Sequence, residues 1–370
     1  MKIAVVGGGI IGLSTAWQLL RRGAGVTLYE RDRAGASTGD VAAGMLAPYA
    51  EVGFEELNLM KLGQLSLERY PQFLKELRED AGFVPELDTC GTLLVGVDRD
   101  DAQQVRRLYD FRKQLDMRIE MISSAEARER EPLLSPRVVT AAWLADDGQI
   151  DNRKLLSALL QAFRNRGGQL REQTPVDELV HRSDRVEGVR AGGKTHPCDA
   201  VVIAAGCWSD RIAGLPATAQ PMIRPLKGQI LTLKQTTDCE PVCMIRSPRV
   251  YLVPKSDGTI RLGATSEEKG YDTTPTAGGV KELLEDGWEL VPSIYDLPLE
   301  EVRTGLRPAG RDHAPSIGYA GVEGLYYATG HYRHGILYAP VTAFSLADEI
   351  IENRPHGQLK EFSPLRFKKQ

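Results

Sequence analysis

Six residues near the N-terminus restrict this chain more than any other stretch. Gly7-Gly8-Gly9-Ile10-Ile11-Gly12 follows the apolar run Lys2-Ile3-Ala4-Val5-Val6 and precedes a helical stretch leading to Val26-Thr27-Leu28-Tyr29-Glu30. Strand, glycine turn, helix, strand and acid stand in the order of a dinucleotide-binding βαβ unit. Gly7 permits the tight turn, Gly9 lets the backbone approach a pyrophosphate, and Gly12 lets the helix pack close to the strand. The helix N-terminus adds unpaired N–H groups and the positive end of its dipole. Glu30 stands at the end of the second strand, where a carboxylate accepts hydrogen bonds from ribose hydroxyls. An acid there disfavours a 2′-phosphate and argues against NADP. A chance glycine run is the plain alternative in a chain with 37 glycines, but chance would not put strand, helix and acid in register. The motif by itself leaves NAD and FAD open.

A length of 370 residues suits two domains of roughly 150 residues each. Hydrophobic content of 42% and charged content of 26% are those of a soluble globular protein. The net charge of −4, with no long basic run, gives no reason to expect a nucleic-acid partner. Residues 3–13 are apolar, but only Lys2 precedes them and no cleavage pattern follows, so no signal peptide is expected. No stretch is long and apolar enough to span a bilayer. Five scattered cysteines (Cys90, Cys198, Cys207, Cys239 and Cys243) fit reduced thiols in a cytoplasm, and no second Cys or His pair supports a metal site at Cys239 and Cys243.

Along the chain, the pattern predicts a first helix over Ile10–Arg22 and a small-residue segment from Ala34 to Pro48. A helix follows over Phe54–Ala81, with Pro71 expected to kink or divide it. Runs at Gly91–Gly96, Gln229–Leu233, Val250–Pro254 and Thr259–Ala264 read as strands, the last two joined through Asp257-Gly258 as a hairpin. They suggest a mostly antiparallel sheet. The parallel unit resumes near Asp151, with a helix over Leu155–Phe163, a strand ending at Glu172, the buried run Ala200–Ile203 breaking at Gly206, and a third such strand at Leu325–Thr329. A last helix is placed near Pro340–Ile351. The fold predicted is α/β: a discontinuous Rossmann-like dinucleotide-binding domain (1–83, 145–220 and 305–370). Into it is inserted an α+β substrate domain with an antiparallel sheet (84–144 and 221–304).

The chain resembles the glycine oxidases of the D-amino-acid oxidase superfamily, FAD-dependent amine oxidases that include the sarcosine oxidases. The resemblance rests on Gly7–Gly12 with Glu30, Ala42-Ala43-Gly44-Met45-Leu46, Ala204-Ala205-Gly206-Cys207-Trp208-Ser209, Tyr251-Leu252-Val253-Pro254, Gly305-Leu306-Arg307-Pro308 and Gly330-His331-Tyr332-Arg333-His334-Gly335-Ile336-Leu337. It implies that the dinucleotide domain is an FAD-binding domain of the glutathione-reductase type, that Gly7, Gly9, Ile10, Ile11 and Gly12 hold the pyrophosphate turn and that Glu30 and Arg31 meet the adenosine ribose. Thr38, Gly39, Ala43, Gly44, Met45 and Gly206 would lie along the cofactor, with Val176 at the adenine. His331, Tyr332, Arg333, His334, Gly335, Ile336 and Leu337 would wrap the flavin ring. Arg307 matches an arginine that clamps the substrate carboxylate, Tyr251 a tyrosine reaching the same carboxylate, and Arg333 an arginine beside flavin and substrate. Met45 and Ser266 would complete the substrate pocket. Ser266 stands where the family can carry a methionine, which leaves glycine, sarcosine and D-alanine open as substrates. No cysteine follows Cys243, so the FAD is expected to be noncovalent.

The chemistry agrees with these assignments. A small amino acid offers one carboxylate, one amine and one Cα–H. A planar guanidinium holds the carboxylate through two parallel hydrogen bonds. A bound flavin then takes the hydride, while protein groups supply position and charge. No general base is assigned, and His331 and His334 are left as flavin-shell or structural residues. An isolated arginine is otherwise a surface charge, and a tyrosine in a hairpin otherwise packing. Three functions compete: an oxidase using O2 and releasing H2O2, a D-amino-acid dehydrogenase feeding a membrane quinone, and a non-catalytic flavin-binding protein. The tail Arg366-Phe367-Lys368-Lys369 is the only basic cluster that would suit the second. The resemblance further implies a supply of glycine imine to thiazole assembly in thiamine biosynthesis, and a homo-oligomer, often a tetramer.

Overall fold

The computed structural model describes residues 1–51, 53–115, 117–216 and 220–367. A six-stranded sheet carries the N-terminal unit. Its strands run in the order Ser316–Tyr319, Leu325–Thr329, Ala200–Ile203, Lys2–Val6, Gly25–Tyr29, Gln169–Arg171, parallel throughout except for the first, an antiparallel edge. Alternation along the central strand builds three layers. Ile3 and Val5 face one way, into a core shared with the helices Ile10–Arg21, Leu57–Ala81, Asn152–Asn165 and Gly335–Glu352. Ala4 and Val6 face the other way, onto a three-stranded antiparallel sheet through Leu179, Val186 and Val189.

The second sheet has eight strands in the order Leu299–Ala309, Arg224–Lys234, Thr259–Gly263, Tyr251–Pro254, Met244–Arg246, Thr92–Gly96, Thr140–Leu144, Ile119–Ile122. It is antiparallel except where Met244–Arg246 pairs with Thr92–Gly96. Leu252 and Leu262 turn toward the helix Ala277–Leu290, while Ile230 and Val253 turn toward Ala43 and Ala47 of the small-residue segment. The hairpin at Asp257-Gly258 forms as the sequence predicts.

Two helices depart from expectation. Leu57–Ala81 runs 25 residues with Pro71 inside it undivided, and its start lies three residues past the predicted Phe54. Proline in a helix costs about 3 kcal/mol. Tyr70, Phe73, Leu74 and Leu77 are all buried around it, and each contributes roughly 1.5–3 kcal/mol, so burial wins. The last helix begins at Gly335, ahead of Pro340. Pro340 has no N–H for the Ile336 carbonyl four residues back, and the Tyr70 hydroxyl donates to that carbonyl instead, at 2.5 Å. The next carbonyl, that of Leu337, accepts from Ser66 Oγ at 2.6 Å. The long helix thereby caps the proline break in its neighbour, and the final helix keeps its first turn.

The strand Leu299–Ala309 crosses the predicted boundary at 304/305. It pairs with Arg224–Lys234 along nearly its whole length, which places Arg307 on the eight-stranded sheet. Lys368 and Lys369 lie outside the described residues, and Arg366 is paired with Asp312 at 2.9 Å rather than forming a free basic surface. No helix of the described residues is long and apolar enough to cross a membrane.

Candidate active site

One cavity of about 740 Å³ lies where the two sheets meet. The six-stranded unit lines it with Gly7, Gly9, Ile10, Ile11, Glu30, Arg31, Val176 and Gly206. Thr38, Gly39, Ala43, Gly44 and Met45 come from the small-residue segment, and His331, Tyr332, Arg333, Gly335 and Ile336 from the last turn and helix. The antiparallel sheet and its loops supply Tyr251, Ser266 and Arg307. Residues drawn from the whole length of the chain therefore share one space.

Three predicted cofactor residues do not line it. Gly12 faces the turn behind it, where a Cβ would collide with the Gly7 carbonyl, so its role is close packing of helix on strand. Leu337 is buried in the helical core, because the helix that starts at Gly335 turns it away from the cavity. His334 caps the same helix and its ring packs against Tyr338, with centroids 5.1 Å apart.

The lining fits a flavin dinucleotide. The helix Ile10–Arg21 begins at Gly9 with no side chain capping it, so its first N–H groups are open to an anion. A Cβ at Gly9 would meet only Ser37 Oγ, at 3.3 Å, which leaves the approach clear of protein. Glu30 is fixed by the Gly8 and Asp32 N–H groups, at 2.7 and 2.9 Å, and keeps further acceptor capacity. Arg31 stacks on Trp208, 3.5 Å from the ring centroid. Thr304 also lines the cavity, and its Oγ1 is buried with no hydrogen-bond partner among the described residues.

On the antiparallel side the charges sort themselves. Arg333 pairs with Glu56 and donates to the Glu51 carbonyl at 3.0 Å. Arg246 pairs with Glu51 at 3.4 Å, and Arg303 with Asp40 at 2.5 Å. Arg307 has no carboxylate partner among the described residues; its Nη1 donates to the Thr265 carbonyl at 2.9 Å. It is the cation in this half of the cavity whose charge the protein leaves uncompensated. Tyr251 is near enough for Arg307 to favour its ionised form, but burial outweighs that and raises its pKa, so the hydroxyl is a donor.

Glu51 and Arg246 went unnoticed in the sequence. Burial works against the Glu51 charge, yet His334, Arg246 and Arg333 outweigh it and hold the carboxyl at about 2. The His334 ring approaches Glu51 at 3.5 Å without hydrogen-bond alignment, and burial lowers its pKa. The signal for Arg246 is its place at the end of the strand Met244–Arg246, opposite Tyr251 on the neighbouring antiparallel strand. Nothing local marks Glu51, which sits on the single turn Pro48–Glu51 held by the buried Asp147 through the Tyr49 and Ala50 N–H groups, both at 3.2 Å. His331 lines the cavity, but burial pushes its pKa down to about 3, and its Nε2 meets Thr342 Oγ1 at 3.0 Å. It is a neutral ring.

The family model "DAO: FAD dependent oxidoreductase" matches residues 2–349. Over 371 residues the chain is 33% identical to the bifunctional protein ThiO/ThiG of Trichormus variabilis, covering 100% of this chain and 55% of that protein. It is 32% identical over 358 residues to a glycine oxidase of Pseudomonas aeruginosa, covering 96% of each. The solved structure of glycine oxidase from Geobacillus kaustophilus matches with a TM-score of 0.91 at 30% identity, over 99% of both chains. The chain thus spans about half the length of the bifunctional relative and nearly all of the glycine oxidases.

Proposed function

Because the chain belongs to the FAD dependent oxidoreductases, in their glycine oxidase group, we propose that it oxidises glycine and other small amines such as sarcosine and D-alanine. The products are H2O2 from O2 and an imine that water converts, for glycine, to glyoxylate and ammonia. The single observation that carries this reading is Arg307, uncompensated beside Tyr251 in a cavity whose opposite lining suits a dinucleotide.

Gly7, Gly9, Ile10, Ile11 and the open helix N-terminus would hold the diphosphate, with Glu30 and Arg31 at the ribose and Val176 at the adenine. Ala43, Gly44, Met45, His331, Tyr332, Gly335 and Ile336 would surround the ring system. Bound FAD supplies the hydride acceptor and the reaction with O2. Arg307 holds the substrate carboxylate through two parallel N–H···O bonds, and Tyr251 adds a third donor. Together they orient the Cα–H, which is where positioning lowers the barrier. Arg333, tied to Glu56, forms a fixed wall of the pocket, and Ser266, on the exposed rim, leaves room for an N-methyl group or the D-alanine side chain. No residue is assigned as general base: His331 is neutral and bound to Thr342, and none is required if the substrate amine binds unprotonated.

We further assign the cofactor-binding unit to 1–83, 145–220 and 310–370 and the substrate-binding unit to the remainder. The relatives named ThiO/ThiG support a place in thiazole assembly for thiamine. A cytoplasmic homo-oligomer, a tetramer, is proposed on the resemblance to the glycine oxidases alone. The test is an anaerobic spectrum of the FAD-loaded protein before and after glycine, sarcosine or D-alanine, followed by air. Bleaching that recovers in air with H2O2 is the expected result. Bleaching that persists in air favours a quinone as acceptor, and no bleaching with any of the three removes this substrate class.

A further inference from the structure

The Arg307 guanidinium lies flat on the neighbouring strand. A Cβ at Gly228 would fall among its Cζ, Nη1 and Nη2 atoms. Its one hydrogen bond among the described residues runs to the Thr265 carbonyl. Thr265 belongs to no regular strand; it opens a strap, residues 264–276, between the strand Thr259–Gly263 and the helix Ala277–Leu290. Irregular segments shift unless they are tied, and a shifted carbonyl would take the guanidinium with it.

The tie comes from the strand beneath. Lys227 and Gln229 flank Gly228, and strand alternation sends them to the opposite face. Both are fully buried. The Gln229 side chain accepts from the Thr276 N–H at 2.8 Å and donates to Glu267 Oε1 at 2.7 Å and Thr276 Oγ1 at 2.9 Å. Its own N–H donates to Thr265 Oγ1 at 2.9 Å, and Thr265 Oγ1 donates to the same Glu267 oxygen at 2.7 Å. The backbones of Lys227 and Glu267 exchange two bonds of 2.9 Å, and Lys227 Nζ donates to the Thr274 carbonyl at 2.6 Å. Simple packing would not need this: a buried amide is costly unless each of its groups is satisfied, and an apolar side chain would fill the same space. The network converges on Thr265.

We propose that Gln229 and Glu267 are positioning residues for Arg307. They fix the Thr265 carbonyl and so keep the free edge of the guanidinium aimed at the substrate carboxylate. Two parallel hydrogen bonds to a carboxylate require that edge to stay in plane, which makes small displacements expensive. The proposal rests on the reading of Arg307 as the carboxylate clamp.

The test uses FAD-loaded Gln229→Leu, Glu267→Ala and Arg307→Lys proteins, Ala because a Gln at 267 would still accept both bonds. Acetate, a carboxylate that cannot be oxidised, is titrated by its perturbation of the flavin spectrum, and glycine kinetics are measured alongside. In the two latch variants acetate Kd and glycine KM should rise together by about tenfold, the scale of a weakened charge-assisted contact, while kcat changes less than about twofold. Arg307→Lys should raise both further. Unchanged Kd and KM in the latch variants, with Arg307→Lys impaired, overturns the latch and keeps the clamp. Unchanged values in all three overturn the clamp itself. A fall in kcat at constant KM also overturns the latch. If Gln229→Leu does not fold, Glu267→Ala, at a partly exposed side chain, decides alone.

Discussion

Arg246 and Tyr251 stand directly opposite one another on neighbouring antiparallel strands. The guanidinium that pairs with Glu51 and the hydroxyl that feels Arg307 therefore share one wall of the cavity. Glu51 is the carboxylate of that wall: Arg246 pairs with it, and His334 and Arg333 help to hold it ionised. Glu51→Gln would leave Arg246 without a carboxylate partner in a partly buried site. Breaking a fully buried pair costs about 3–5 kcal/mol, and solvent access at Arg246 reduces that here to about 1–3 kcal/mol. The expected outcome is a loss of that order in urea-denaturation stability, larger than for Arg246→Met, which removes a cation while leaving Glu51 near Arg333. Equal losses for the two variants would count against this order.

Most of what was legible in the sequence came from local pattern. The glycine turn, the apolar run Lys2–Val6 before it, and the Asp257-Gly258 hairpin all declare themselves within a few residues. The resemblance added Arg307, Tyr251 and Arg333. What stayed hidden was tertiary. Glu51 reaches the cavity only because Asp147, 96 positions later, binds the turn that carries it. Pro340 signals a helix start that Tyr70, 270 residues away, overrides. Gly228 carries meaning only once Arg307 is laid on it.

Tyr70→Phe tests that override. It strands the Ile336 carbonyl, buried and without the N–H that Pro340 lacks, while changing little else in shape. An orphaned buried acceptor costs about 1–3 kcal/mol. A lowered melting temperature is expected, and because Gly335 and Ile336 line the cavity, FAD affinity should fall with it. A variant as stable as the parent would mean that water replaces the hydroxyl.

Two buried groups give the stability opposite pH dependences. His331 is held at about 3 by burial, against an ordinary 6.5. Between those values the unfolded chain binds a proton that the folded one refuses. Its contribution is whole above pH 6.5 and is lost as the pH falls toward 3, about 2–3 kcal/mol between pH 7 and 4.5. Asp147 is raised by burial from 3.8 to about 7. Here the folded chain keeps a proton that the unfolded one releases, so this contribution is whole below pH 3.8 and is lost as the pH rises through 7, by a similar amount. The two nearly cancel between pH 4.5 and 7. His331→Gln should therefore gain stability on acidification across that window and Asp147→Asn should lose it, as read by urea midpoints at the two pH values. Parallel curves for both variants and the parent would refute the assignment.

Gly9 and Gly12 belong to the same fingerprint but answer to different masters. A Cβ at Gly9 would touch only Ser37 Oγ, at 3.3 Å, so the protein itself barely requires glycine there. A Cβ at Gly12 would collide with the Gly7 carbonyl within the strand-to-helix turn, whatever ligand is present. Gly9→Ala should fold, with a melting temperature close to the parent's when FAD is stripped from both, yet bind FAD roughly tenfold or more weakly because the methyl group stands where the diphosphate must approach. Gly12→Ala should instead destabilise the stripped protein by about 1–3 kcal/mol or more through overpacking. Titrating FAD into both stripped variants, with thermal melts beside the titrations, separates the two roles. If Gly9→Ala bound FAD as tightly as the parent, the pyrophosphate would have to lie elsewhere than at the start of the helix Ile10–Arg21.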